Sequence, residues 1–257
     1  MNEPVNSPSL LSAIRGWWCE RQPRLGVLKT STEFVKELWD FALDSTPARK
    51  RSRYGDADYD WEHRVDTTSG TVGWHDRLLG AFHSAYQPTD PVAFREMMEA
   101  LAIEYARFTF IDLGSGKGRT LLMASEFPFR RVIGVELLPS LHHVALENAE
   151  KFAGQGVSRA PMEPLCGDAR VYEFPAEPLV VYLFNPLPEA ALGRVLENLK
   201  KSLTAVPREA WIVYHNPILD RVLMEAKSFP KRTVAQQYTI YAWAEVEATS
   251  RTELVSK

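Results

Sequence analysis

Residues 110–118 read Phe-Ile-Asp-Leu-Gly-Ser-Gly-Lys-Gly. An apolar run ends in Asp112, breaks into Gly114, Ser115, Gly116 and Gly118, and gives way to a helical pattern opened by Arg119 and Thr120. A strand, a tight turn and a helix in that order set main chain free of Cβ atoms beside the unpaired N–H groups of a helix N-terminus, a surface suited to a ligand carrying a carboxylate. Two familiar nucleotide loops are excluded by spacing. The dinucleotide fingerprint is G-x-G-x-x-G and the phosphate loop is G-x-x-x-x-G-K-[ST], whereas here the glycines alternate and Lys117 lies inside the run with no Ser or Thr directly after it. A generic strand-to-helix turn of some other α/β protein stays open at this point.

Working outward, Arg131-Val-Ile-Gly-Val-Glu136 is a β-branched run that ends in an acid, separated from Asp112 by about the length of one helix and one strand in a βαβ unit. A carboxylate at that strand end can accept both hydroxyls of a ribose, or it can cap the helix that follows. Leu165-Cys166-Gly167-Asp168-Ala169 closes another short run with an acid, placed to accept the exocyclic amine of an adenine unless it is an ordinary loop aspartate. Leu179-Val-Val-Tyr-Leu-Phe-Asn185 is apolar throughout, as a central parallel strand is, and ends in Asn185-Pro186-Leu187-Pro188. Ala210-Trp-Ile-Val-Tyr-His-Asn-Pro217 brings Tyr214, His215 and Asn216 toward the same sheet edge. Apolar-faced segments at Arg119–Phe127, Pro139–Phe152 and Glu189–Leu203 alternate with these runs, which predicts a doubly wound, mostly parallel α/β sheet with its ligand site at the strands' carboxyl ends.

The segments from Asp112 through Asp168 resemble the class I S-adenosylmethionine-dependent methyltransferases, over roughly Pro88 to Val246. The resemblance implies a Rossmann-like seven-stranded sheet and S-adenosyl-L-methionine as cofactor. Asp112 and the loop Gly114, Ser115, Gly116 and Gly118 would face its methionine portion, Glu136 its ribose, and Asp168 with Ala169 its adenine. A helix near Leu219–Lys227 and two aromatic-rich strands through Val246 give the sheet the paired end this class has.

Tyr86-Gln-Pro-Thr89, ahead of a helix predicted over Pro91–Tyr105, is similar to a turn of the non-SET lysine methyltransferases of the nucleosomal histone type. There the turn contacts the cofactor's methionine end, which would make Tyr86 and Thr89 binding residues; a helix cap by Thr89 or Asp90 is the plain alternative. The hydroxyl-rich Asp66-Thr-Thr-Ser-Gly70 before it can fold over a cofactor. In amino-group methyltransferases the position of Asn185 often carries Asn or Asp, two prolines and an aromatic residue, the amide oxygen aiming the acceptor amine. This chain keeps Asn185 and Pro186 but has Leu187 and Pro188 next, so Asn185 is the catalytic candidate and is also expected among the cofactor-binding residues, while a strand-end turn stays open.

Leu10–Arg21 and Ser31–Leu43 carry apolar residues at helical spacing, so residues 1–87 read as a helical extension with a connecting loop, and 88–257 as the cofactor-binding domain. Trp17, Trp18, Phe34, Leu38, Trp39 and Phe41 are expected to pack together. The basic run at 49–53 reads as an exposed connection.

With 257 residues, 45% hydrophobic, and a net charge of −3, the chain can bury a sizeable core and shows no strong nucleic-acid signal. Cys19 and Cys166 lack metal-ligand spacing, so no metal is expected. The absence of a signal pattern or membrane-length apolar run predicts a cytoplasmic protein with no membrane partner. The function expected is methyl transfer to a nitrogen, a protein lysine favoured and a small molecule nearly as well supported. A non-catalytic cofactor-binding regulator and, more weakly, a nicotinamide-dependent oxidoreductase remain as alternatives.

Overall fold

The computed structural model describes residues 9–46, 57–82, 86–155, 160–185 and 187–244. The basic run at 49–53 and Pro186 lie outside the described residues.

Seven strands form one sheet: β1 Thr109–Leu113, β2 Arg131–Glu136, β3 Met162–Cys166, β4 Leu179–Leu183, β5 Ala210–His215, β6 Lys231–Val234 and β7 Tyr238–Ala242. Their order is β3-β2-β1-β4-β5-β7-β6, parallel from β3 to β5 and antiparallel where β7 enters between β5 and β6. This is the sheet the resemblance implies. The chain leaves β1 toward β2 and β3 and later returns to β4 on the other side, so a crevice opens above β1 and β4 at their carboxyl ends, where open α/β sheets bind ligands.

Every residue of β1 and β4 is buried, which accounts for their continuous apolar runs. Side chains alternate between two cores. One packs Ile111, Val181 and Ile212 against Leu196 and Leu199 of helix α7 (Glu189–Ala205); the other packs Phe110, Val180, Tyr182 and Val213 against Phe94 and Met97 of helix α4 (Pro91–Glu99). By the same alternation, Asp112 and His215 belong to the α4 face, and register puts Asp112 beside Tyr182.

Helices α5 (Arg119–Ser125), α6 (Pro139–Ala153) and α8 (Asp220–Glu225) complete the crossovers, within a few residues of the expected bounds. α4 is shorter than expected. Asp90 caps it by accepting from Ala93 N and Pro91 opens it, but it stops at Glu99, and Ala102 turns left-handed at φ 50°.

Upstream lie α1 (Leu10–Asp44), α2 (Ala57–His63) and α3 (Trp74–Phe82). The two expected N-terminal helices are the halves of α1, broken at Gly26, whose φ of 74° and ψ of 164° are not helical. Trp17 and Trp18 meet Phe34 edge-on, and Trp17 packs with Ala13 and Leu79. The expected aromatic cluster is smaller than the sequence reading had it. Trp39 is 65% exposed and Leu38 is also exposed, because α3 covers only one stripe of α1, and Phe41 instead lies under the Arg77 guanidinium.

Candidate functional site

The glycine loop turns at the end of β1 with Gly114, Gly116 and Gly118 all at positive φ (87°, 54° and 84°), a backbone that side chains resist. Gly114 N donates to Val135 O at 2.8 Å and Gly118 N to Ser115 O at 2.9 Å, and Gly118 opens α5. Gly116 faces a ring: a Cβ built there falls 2.3 Å from Cε2 of Tyr86, whose hydroxyl donates to Thr67 O at 2.6 Å. Ser115 Oγ is sealed from solvent with no hydrogen-bond partner among the described residues.

Two acids flank the loop. Glu136 accepts from Gly116 N through Oε2 and from Leu138 N through Oε1, both at 2.8 Å, and so ties the end of β2 to the loop. Burial nevertheless pushes its pKa up. Asp112, at the end of β1, is fully buried; burial first, then the charge of Glu136, raises its carboxyl to about 8, against a hydrogen bond from Thr120. Among the described residues no cation pairs with either acid. Two desolvated carboxylates at the ends of neighbouring strands are costly unless something positive or hydrogen-bonding meets them.

Asp168 is one strand further out, after β3, where Gly167 N donates to Glu136 O at 2.9 Å. Burial opposes its charge, but Arg170 holds the carboxyl below its ordinary range through contacts of Nε at 2.8 and 2.9 Å and a main-chain bond at 2.9 Å. Asp168 thereby caps the turn Ala169–Val171, and Ala169 is buried beneath it. On the other side of the crevice, Thr89 Oγ1 lies 2.8 Å from Tyr182 OH. Asn185, after β4, is left-handed at φ 46°; its Nδ2 donates to Asn216 O at 2.7 Å and its Oδ1 accepts from Tyr214 OH at 2.9 Å.

The sequence-predicted residues therefore divide. Tyr86, Asp112, Gly114, Ser115, Gly116, Gly118 and Glu136 gather around one loop. Asp168 and Ala169 adjoin it through β3, and Thr89 and Asn185 occupy the β4 and β5 side, each already holding a side-chain partner.

Sequence reasoning missed what fastens the loop from outside. Lys117 Nζ, only 2% exposed, donates to Asp66 Oδ1 and Thr68 O, both at 3.0 Å, and also contacts Thr71 Oγ1. Arg119 donates to Thr67 Oγ1 at 2.6 Å and pairs with Asp60 Oδ1 at 3.2 Å, while Asp60 Oδ2 accepts from Thr67 N and Thr68 N. Asn148 of α6 donates to Asp66 O and Lys117 O and accepts from Asp66 N. Residues 60–71 are thus clamped onto the glycine loop. The available signal was two basic residues, Lys117 and Arg119, in and after a loop otherwise built for an anion, together with the hydroxyls of Asp66–Gly70.

No group of three or more His, Cys, Asp or Glu among the described residues is placed to hold a metal ion, and no helix among them is long and apolar enough to cross a membrane.

No protein-family model matches the sequence, and no curated protein matches it. Solved structures do resemble it. A SAM-dependent methyltransferase from Aquifex aeolicus shares 16% identity over 61% of this chain and 100% of that chain, at a TM-score of 0.44. An RNA methyltransferase from Salinibacter ruber in complex with S-adenosyl-L-homocysteine shares 19% over 61% and 92%, at 0.38. An rRNA methyltransferase from Streptomyces viridochromogenes shares 13% over 62% and 86%, at 0.41.

Proposed function

We propose that this chain is an S-adenosyl-L-methionine-dependent methyltransferase. The observation that carries the reading is the pair Asp112 and Glu136, two buried carboxyls with raised pKa and no cation beside them among the described residues, on either side of a loop whose three glycines are left-handed. The residues present fit the cofactor: it brings an ammonium and a ribose to acids that no cation among the described residues pairs with, and a carboxylate to the opening turn of α5. When bound, it supplies a methyl group on a positively charged sulfur.

In this reading Asp112 accepts the cofactor's ammonium, and Glu136, with one lone pair on each oxygen already used, offers the others to the ribose hydroxyls. Asp168 and Ala169 border the adenine, and Tyr86 and Thr89 the methionine end. The clamp through Lys117 and Arg119 holds residues 60–71 against the loop, which excludes water from that side. The cofactor-binding unit is residues 88–257, with 1–87 as its extension.

The acceptor we favour is a nitrogen, with Asn185 as the residue that orients it. Asn185 Oδ1, which accepts from Tyr214 OH, sits just past the end of β4, at the sheet edge where the acceptor would enter. A protein lysine, suggested by the likeness of the Tyr86-Gln-Pro-Thr89 turn, must be neutral to react, which desolvation against the Phe184 ring just past the end of β4 favours. The engagement of both ends of the Asn185 amide also supports a second reading, a cofactor-binding regulator without turnover.

Calorimetric titration with S-adenosyl-L-methionine and S-adenosyl-L-homocysteine tests the proposal. Saturable binding that is lost in Asp112→Ala is expected; no heat with either ligand sinks it.

A further inference from the structure

Thr89, which the cofactor reading puts at the methionine end, opens a buried polar chain through Tyr182 to His215, two residues that reading does not use. Thr89 Oγ1 is 2.8 Å from Tyr182 OH, and Tyr182 OH is 2.9 Å from His215 Nδ1. All three side chains are buried, and the first two are closed off almost completely. A buried hydroxyl needs an acceptor for its hydrogen. Thr89 has no other hydrogen-bond partner among the described residues, so its O–H is satisfied only by donation to the Tyr182 oxygen, and Tyr182 is then left to donate to His215 Nδ1. The opposite direction, from Nδ1–H through Tyr182 to Thr89, strands the Thr89 hydrogen in the core. One tautomer follows, with Nδ1 the acceptor and the hydrogen on Nε2.

That nitrogen is not closed off. Nε2 has no hydrogen-bond partner among the described residues, and it is not among the side-chain nitrogens that the fold seals from solvent. The ring stacks on Phe184 with centroids 4.0 Å apart and planes 26° apart, at the carboxyl ends of β4 and β5, one residue before Asn216 and one strand from Asn185. Burial lowers the His215 pKa to about 4 against the pull of Asp90, so at neutral pH the ring is uncharged and Nε2–H is a neutral donor.

We propose that His215 is a specificity-determining residue of the acceptor site, its Nε2–H donating to a carbonyl or carboxylate oxygen of the acceptor molecule, with Thr89 and Tyr182 as positioning residues that fix its tautomer. The proposal rests on the methyltransferase reading and narrows it. The acceptor is then a molecule that carries an sp2 oxygen close to the atom that receives the methyl group. A lysine meets this condition only through a peptide carbonyl of the chain that carries it, whereas a bare alkylammonium offers nothing to Nε2–H.

The test uses the full chain labelled with 15N-histidine. Long-range 1H–15N spectra of the ligand-free protein are expected to show His215 protonated at Nε2, with a shift of population toward Nδ1–H in Thr89→Val. Protonation at Nδ1 in the parent protein, or an unchanged population in the variant, overturns the assignment. Acetate and methylammonium are then titrated into protein saturated with S-adenosyl-L-homocysteine. A shift of the His215 Nε2 resonance with acetate and none with methylammonium is expected; the reverse, or no shift with either, overturns the acceptor role. His215→Phe, which keeps an aromatic ring on Phe184, is expected to lose the acetate response at neighbouring amides. Failure of S-adenosyl-L-homocysteine to bind counts against the methyltransferase reading itself and is seen separately, because the tautomer is measured without it.

Discussion

Lys117 Nζ lies 3.0 Å from Asp66 Oδ1, a contact that joins the middle of the glycine loop to a segment 51 residues upstream. With Arg119 on Asp60 it makes a two-point clamp, but the two points differ in burial. Asp66 is 41% exposed, so losing Lys117 lets it rehydrate, whereas losing the charge of Asp60 leaves Arg119 desolvated. Lys117→Met is therefore expected to cost about 1 kcal/mol, in the range of a partly exposed pair, and to speed hydrogen exchange at residues 67–71. Asp60→Asn is expected to cost about 3 kcal/mol or more, as when one partner of a buried pair is removed. Urea unfolding of the two variants checks the ranking, and equal costs would contradict it.

Gly116 is closed to a side chain for two reasons, its φ of 54° and the Tyr86 ring 2.3 Å from where a Cβ would lie. Gly116→Ala is expected to weaken cofactor binding at least tenfold, equivalent to about 1.4 kcal/mol. In a Tyr86→Ala background the same change is expected to cost less, because only the backbone strain of about 1–2 kcal/mol then remains. A double-mutant cycle of calorimetric affinities reads the coupling, and strict additivity would place the ring elsewhere in solution.

Asp112 sets a pH dependence whose sign is fixed. Its folded pKa of about 8 lies above the ordinary aspartate value of about 4, so between those limits the folded chain holds a proton that the unfolded chain releases. Stability of the ligand-free protein is therefore expected to fall as pH rises from about 4 to about 8. A cationic ligand prefers the ionised carboxylate, so binding at pH 7 is expected to release a proton and affinity to rise with pH until about 8. Calorimetry in two buffers of different ionisation enthalpy measures the release, which Asp112→Asn should abolish.

Asn185 is proposed to act on the acceptor and not on the cofactor. Asn185→Ala is expected to lower kcat by about 10²-fold, the scale of a lost positioning contact, with S-adenosyl-L-homocysteine affinity nearly unchanged. An equal loss of affinity would assign Asn185 to cofactor binding instead.

What the sequence made legible follows from how local each signal is. Strand, glycine turn and helix occur within 110–125 and need no distant partner, so their chemistry is carried by spacing alone, and the apolar runs of β1 and β4 announced a sheet buried on both faces. Lys117 and Asp60 were unreadable because a buried charge is tolerated only by a partner that the fold supplies from far along the chain. Trp39 misled for the related reason that helical spacing shows which residues share a stripe, not whether a neighbour covers it. The direction of the Thr89, Tyr182 and His215 chain depends on contacts between residues separated by 93 and 33 positions, which no local pattern encodes.

The most direct test of the central claim is transfer of tritium from methyl-labelled S-adenosyl-L-methionine into a cell extract, with Asp112→Ala as control and products divided by protease and ribonuclease treatment. The account predicts label transferred by the parent chain and not by the variant, in a protease-sensitive fraction if the acceptor is a lysine and in the small soluble fraction if it is a metabolite. No transfer into any fraction by a protein that binds the cofactor would contradict it and leave a binding protein in place of an enzyme.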